Sequence, residues 1–418
     1  MAAILSLVVL ALLLPSQSTA QSRVDYFPPP DAGGGWRRAE SPDDVRRVGG
    51  IDRRKLDRAF EFIQESSKNG GLLVVRRGWL VYERYFGRGH REATPNLASC
   101  GKSVTSIAVG ILVAERPDVF SEGLDQKVFT TKFLPSDAFP LTDPRKADIT
   151  LGQLLAMTGG IRGNNPVYVN GKPSTIDPPG PDGWQAGVDA IAVGREEARQ
   201  GNTRTTTTTL WCDPGKGYSY ATSSIHLAGL MLQHVTGQSL QAYVDQHLAA
   251  PLGWGRWGFG YRAPGQLTRM SGGGGIAVRA TDMLRFGYML LREGRWHGRQ
   301  VVPAAYVRQA SRRSPYNPHY PYSLQFSVNT DGDIPELPRD AFWKAGSGGH
   351  ALYVVPSLDL VVWKLGGRDD QYSPTNTAMT PHPDAVKAAE PRDGWKQTVD
   401  NDRALRRTLQ LVVASIVD

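Results

Sequence analysis

Ser99-Cys100-Gly101-Lys102, running straight into Ser103-Val104-Thr105-Ser106-Ile107-Ala108-Val109-Gly110-Ile111-Leu112-Val113-Ala114-Glu115, is the stretch on which the reading of this 418-residue chain turns. From Lys102 to Glu115 apolar side chains dominate, with Ile107, Val109, Ile111, Leu112 and Val113 covering most of the helical circumference. That pattern predicts a helix buried on most sides. Ser99 then falls at a helix start, where unpaired N–H groups and the positive end of the dipole stabilise a developing oxyanion. Residues at i and i+3 share a helix face, so the Lys102 amine reaches the Ser99 hydroxyl. Burial disfavours an ammonium, and a neutral amine accepts a serine proton. The plain alternative is a serine cap followed by a surface lysine, and the tetrapeptide taken alone favours that alternative.

Upstream, Leu72–Val75 and Leu80–Tyr85 are short β-branched and aromatic runs around Arg76-Arg77-Gly78, a hairpin signal. Before them, Asp52–Ser67 places Leu56, Ala59, Phe60 and Ile63 at helical spacing, and Asn69-Gly70-Gly71 reads as its C-terminal cap. Residues 21–50, with Pro28-Pro29-Pro30 and Gly33-Gly34-Gly35, read as an extended arm. Residues 1–20 carry an apolar run, Ile4–Leu14, too short to span a bilayer, then Ser18-Thr19-Ala20. This is the pattern of a secretory signal cleaved near Ala20–Gln21 and predicts a periplasmic or secreted protein without a transmembrane anchor.

Downstream, Thr150 caps a helix from Leu151, and Ser223–Thr236, Asp282–Glu293 and Asp402–Val417 read as further helices. Gly163–Pro214 reads as long loop with one helix near Trp184–Val193. Ala351–Val355 and Leu360–Lys364 around Pro356-Ser357-Leu358-Asp359 give a second hairpin. Two segments carry further chemistry. Pro214-Gly215-Lys216-Gly217-Tyr218-Ser219-Tyr220-Ala221-Thr222 delivers Tyr220 by a turn just before a helix, and a phenol beside a lysine exchanges protons readily. Trp343-Lys344-Ala345-Gly346-Ser347-Gly348-Gly349-His350 is a Gly-rich strand edge that admits close backbone approach. The Ser347 N–H there is the candidate second donor of an oxyanion hole with the Ser99 N–H, and Lys344 a candidate for attracting a substrate carboxylate. Gly217-Tyr218-Ser219-Tyr220-Ala221 imitates a nucleophile elbow, but Thr205–Asp213 makes a poor buried strand before it.

Taken together, these motifs make the chain resemble the serine β-lactamase-related superfamily of class C β-lactamases, penicillin-binding D,D-peptidases, D-aminopeptidases and family VIII-type esterases. Ile149–Gly160, Pro251-Leu252-Gly253 and Gly273-Gly274-Gly275-Ile276 extend the resemblance over nearly the whole mature chain. It implies an α/β, β-lactamase/transpeptidase-like fold: an antiparallel sheet flanked by helices, residues 51–118 plus 265–418, with a mostly helical domain inserted at 119–264. It also implies an acyl-enzyme on Ser99, with Lys102 and Tyr220 as a coupled proton-handling pair whose base is left open. Two departures bear on substrate. Thr222 stands where β-lactamases carry Asn, and Ala345 removes a hydroxyl that helps hold a β-lactam carboxylate. Both favour an esterase or D-amino peptidase over a true β-lactamase or D,D-peptidase; a non-catalytic penicillin-recognition module is the rival of another class. Thr222, Lys344, Gly346, Ser347 and His350 are the expected binding residues, His350 being equally readable as structural. In the implied fold the loops of Cys100 and Cys212 converge, so a disulfide and two free thiols stand as alternatives.

Composition narrows the rest. The net charge is +8, from 48 Lys+Arg against 40 Asp+Glu, but the cations are scattered and form no basic helix, which argues against nucleic acid as partner. The expected partner is a small-molecule or peptide substrate, cell-wall fragments included. With no CxxC or HExxH pattern, no metal and no cofactor are expected.

Overall fold

A computed structural model describes residues 26–141, 143–174, 209–259, 272–372 and 392–418. The signal sequence expected at 1–20, the helix expected near Trp184–Val193 and the expected boundary at 264/265 lie outside the described residues. Two helices open the fold, α1 (Pro42–Gly49), capped by Ser41 and lying inside the stretch expected to be wholly extended arm, and α2 (Arg53–Ser66), capped by the Asp52 side chain accepting from Arg54 N–H. β1 (Gly70–Arg76) and β2 (Trp79–Phe86) form a hairpin whose turn residues Arg77 and Gly78 both take positive φ, 53° and 75°. That left-handed pair matches the twist of the flanking strands. Asn69-Gly70-Gly71 does not cap α2: Ser67 ends it in extended conformation, and Gly70 already belongs to β1, because the sheet claims those backbone groups.

α3 (Gly101–Glu115) follows a 3-10 turn at Ala98–Cys100, and α4 (Leu151–Ala156) starts at a capping box between Thr150 and Gln153. The segment expected to be loop contains strand. β3 (Asn164–Val169) and β4 (Lys172–Ser174) form a hairpin, and β5 (Tyr218–Tyr220) pairs with β3. α5 (Thr222–Thr236) and α6 (Ala280–Leu291) follow, then α7 (Ala304–Ala310). β6 (Ser327–Val328), β7 (Phe342–Gly346), β8 (His350–Val355) and β9 (Leu360–Leu365) return to the main sheet, and α8 (Asn401–Val413) comes last.

The main sheet is antiparallel, in the order β6-β7-β8-β9-β1-β2. β9 closes it against β1, with Val74 opposite Val362. Alternate residues serve two cores, as strand geometry requires. Leu72, Val74, Tyr353, Val355 and Val362 meet Leu56, Phe60 and Ile63 of α2 and Leu409 and Val412 of α8. Leu73, Val75, Leu352, Val354, Val361 and Trp363 join a larger core that includes α3, α5 and α6. Each fully buried Val, Leu or Ile contributes about 1.5–3 kcal/mol, so the central strands are held from both sides. Ala98–Glu115 is, among the described residues, the helix long and apolar enough to cross a membrane, yet 72% of that window is buried inside the protein. It is the central core helix, and its N-terminus carries the site.

Candidate active site

The chain enters α3 through a constrained turn. Leu97 N–H donates to the Ile276 carbonyl (2.8 Å), Gly275 N–H to the Ala98 carbonyl (3.1 Å), and Ala98 N–H to Asn96 Oδ1 (2.9 Å). These bonds hold Ala98 at φ 48°, sparsely populated for a residue with a side chain. Ser99 follows and stays partly exposed, whereas Lys102 is buried. Lys102 Nζ donates to Ser99 Oγ at 3.0 Å and also to the Gly273 carbonyl. The Gly273 peptide is fixed in turn, its N–H donating to Nδ1 of His226 on α5 at 2.9 Å. Burial, and then the Lys102 charge, push the His226 imidazole down to about 3, so it is neutral and Nδ1 accepts.

Tyr220 ends β5 directly opposite Asn164 of β3. Its ring centroid lies 5.4 Å from Lys102 Nζ and 5.2 Å from Lys344 Nζ. On β7 buried and half-buried residues alternate, and Lys344 shares the buried face with Phe342 and Gly346. Its Nζ donates to Tyr322 Oη at 2.6 Å and to Tyr220 Oη at 3.4 Å. Tyr322 Oη donates to Gln325 Oε1 (2.9 Å), and Gln325 Nε2 donates to the Leu155 carbonyl (2.7 Å), which settles the direction of the whole chain. Burial, and then repulsion from Lys102, hold Lys344 well below the ordinary lysine range. The expectation that Lys344 offers its charge to a substrate carboxylate therefore needs correcting: the residue is 3% exposed and its amine is turned onto two phenols.

Gly346 ends β7 against the nucleophile turn. A Cβ there would sit 2.2 Å from the Leu97 carbonyl and 3.1 Å from Cys100 Sγ, so the close approach requires glycine. Ser347 is the exposed residue that follows, and Thr222 opens α5 with its Cγ2 beside Gly273. His350 does not line the site. It is fully buried, its Nδ1 accepts from Gly366 N–H at 3.1 Å, and burial pushes it down to about 3. The Cys100–Cys212 disulfide is not formed either. Cys100 Sγ is buried 3.8 Å from the Lys344 carbonyl, and Cys212 Sγ faces Gly217, so the two thiols are free and point to different neighbours. Burial pushes both thiols up to about 12, far from reactive thiolates. Ser219 of the imitation elbow is buried, with its hydroxyl accepting from Gly163 N–H at 3.0 Å.

Sequence reasoning missed His226, Tyr322, Gln325 and the Gly273 carbonyl as parts of this assembly. The Gly273–Ile276 run is a signal for the neighbourhood and strand alternation one for an inward Lys344, which the sequence reading did not use; nothing local marks Tyr322. Among the described residues, no group of three or more His, Cys, Asp or Glu is gathered that could hold a metal ion.

A partly exposed serine at a helix start, with a buried lysine amine on its hydroxyl and a phenol held by a second lysine, is a Ser-x-x-Lys arrangement suited to nucleophilic chemistry by the serine. The chain belongs to the Beta-lactamase family, whose model matches residues 56–372. Esterase EstB of Burkholderia gladioli is 29% identical over 216 residues, 49% of this chain and 51% of that protein, so the chain spans about half the length of this curated relative. Among solved structures, a penicillin-binding protein homologue from Caulobacter crescentus superposes with a TM-score of 0.57 at 15% identity, covering 87% of this chain and 97% of that one. EstCE1, described as a hydrolase with promiscuous acyltransferase activity, gives 0.55 at 17% identity, covering 86% and 98%. These structural likenesses carry the fold, which is β-lactamase/transpeptidase-like.

Proposed function

We propose that this serine hydrolase cleaves uncharged short-chain esters through an acyl-enzyme on Ser99. The observation that carries the chemistry is the 3.0 Å contact between Lys102 Nζ and Ser99 Oγ. A neutral Lys102 amine keeps its donation to the Gly273 carbonyl and accepts the Ser99 proton as Oγ attacks the ester carbonyl. The oxyanion forms beside the N–H groups of Ser99 and Ser347. Tyr220, with Lys344 donating to its oxygen, gives its proton to the departing alkoxide and regains one from the water that attacks the acyl group, while Lys102 hands its proton back to Ser99 Oγ as that oxygen is released. Lys102, Tyr220 and Lys344 act as one coupled set.

The substrate class rests on Lys344. Because its amine is committed to Tyr322 and Tyr220, the cleft offers it poorly to the carboxylate of a β-lactam or a stem peptide. Thr222 and Ala345 point the same way, and the name of the EstB relative is consistent with it. The apolar run and small residues before Gln21 support export, to the periplasm or beyond. A panel of p-nitrophenyl esters, D-amino-acid anilides and nitrocefin, run on wild type and Ser99→Ala beside fluorophosphonate labelling, tests both layers. Labelling and short-ester turnover that vanish in Ser99→Ala are expected. Labelling that survives in that variant overturns the nucleophile, and fast nitrocefin turnover overturns the substrate class.

A further inference from the structure

Gln371 lies at the back of the site, 3% exposed, in a short 3-10 turn after β9. Its amide is completely engaged. Nε2 donates one hydrogen to the Asn96 carbonyl (2.7 Å) and the other to the Ser347 carbonyl (2.9 Å), while Oε1 accepts from Arg368 N–H (3.1 Å). Two carbonyls on one side and an N–H on the other fix the amide orientation. The backbone joins in, with Asn96 N–H donating to the Gln371 carbonyl at 2.9 Å. His350 backs the same point, its ring hydrogen-bonded to the Asn96 backbone and its Nε2 3.3 Å from Gln371 Nε2.

The two carbonyls come from distant parts of the chain, 275 and 24 residues away from Gln371. One belongs to the turn that leads to Ser99, where Asn96 Oδ1 also holds the Ala98 N–H and so the left-handed Ala98 backbone. The other belongs to Ser347 itself; its own N–H shares a peptide plane with the Gly346 carbonyl, which accepts from Gly349 N–H at 3.1 Å, so anchoring the Ser347 carbonyl holds the same residue from its other side. We propose that Gln371 is a positioning residue that sets the spacing of the two oxyanion-hole donors by tying the nucleophile turn to the β7–β8 turn through one carboxamide. The inference rests on the Ser99 acyl-enzyme reading. A purely structural amide would satisfy whatever carbonyls lie near; this one bridges the two loops whose separation catalysis depends on.

Gln371→Glu keeps the size of the side chain and removes both donated hydrogens, setting an oxygen against two carbonyls. Gln371→Met keeps the length without any charge, so a folded variant remains if buried carboxylate unfolds the first. The readouts are kcat and KM for p-nitrophenyl butyrate, affinity for an alkyl boronic acid that mimics the tetrahedral intermediate on Ser99, and Tm. The expected result is kcat lower by about 10- to 100-fold with KM within about twofold, and boronate affinity falling in step with kcat. Wild-type kcat in both folded variants overturns the proposal, as does a loss of kcat with boronate affinity unchanged. Ser99→Ala separates the two layers: hydrolysis persisting there removes the acyl-enzyme reading itself, whereas an inactive Ser99→Ala beside fully active Gln371 variants removes only the clamp.

Discussion

Tyr322→Phe isolates a single hydroxyl on which the protonation of Lys344 depends. Tyr322 gives its own hydrogen to Gln325 Oε1, so toward Lys344 it acts only as acceptor, at 2.6 Å. An acceptor at that distance favours the ammonium over the neutral amine. Hydrogen bonds to charged groups contribute about 1.5–3 kcal/mol, and about 1.4 kcal/mol corresponds to one pH unit. Without the hydroxyl, Lys344, already held low by burial and by Lys102, loses its proton at still lower pH. The alkaline limb of kcat/KM, where Lys344 loses the positive charge it holds beside Tyr220 Oη, should then move toward acid. The phenyl ring keeps its packing on Tyr218 and Tyr220, with centroids at 5.6 and 6.0 Å. Gln325 Oε1 is left without its donor, at about 1–3 kcal/mol of stability. The assay is a pH–rate profile with p-nitrophenyl butyrate on both proteins, alongside urea unfolding. An alkaline limb at the wild-type position, or displaced toward base, refutes the assigned direction of the Lys344–Tyr322 bond.

Three further outcomes follow from the same geometry. Gly346→Ala drives a Cβ onto the Leu97 carbonyl, a backbone atom that cannot rotate away, so stability should fall by about 1–3 kcal/mol and kcat by more than about tenfold; unfolding curves and steady-state kinetics check both. Lys364 is buried with its Nζ donating to the Gly349 carbonyl, and burial pushes it down to about 7. The unfolded chain holds this proton up to the ordinary lysine range and the folded chain releases it near 7, so above that pH the wild type should gain about 1.4 kcal/mol per pH unit relative to Lys364→Met; parallel curves for the two proteins contradict this. Ellman titration of the denatured, unreduced protein should count two thiols, and none would restore the disulfide.

Much of the frame is written in local pattern. The two hairpins announce themselves through Arg77-Gly78 and Pro356–Asp359, and their flanking runs alternate between two cores in register. Ser99 and Lys102 meet because helical geometry brings i and i+3 together, and that needs no knowledge of the rest of the chain. Partners joined over long separations are a different matter. Gln371 sits in Arg368-Asp369-Asp370-Gln371, which reads as an exposed polar turn, and its engagement with Asn96 becomes visible only once β9 has closed the sheet on β1. Tyr322 reads as one aromatic among several between Tyr316 and Phe326. β3 escaped because Asn164-Asn165-Pro166 is poor strand sequence, and its pairing with β5 spans a long insertion. The inward turn of Lys344 was open to inference: Phe342 and Gly346 lie on its face of β7, and a cation there must find buried partners.

The small sheet has a consequence for protein engineers. Asn164 faces Tyr220 and Tyr168 faces Tyr218 across the β3–β5 ladder, and Asn170 and Gly171 at the tip of the β3–β4 hairpin are pinned by His319. A hairpin transplanted from a homologue to widen substrate scope would carry the backbone pairing of Tyr220 with it. Chimeras cut between β3 and β5 should therefore change acidity preference and selectivity as an inherited pair, and libraries that vary the hairpin while holding the Tyr218–Tyr220 partners constant are the ones that will separate them.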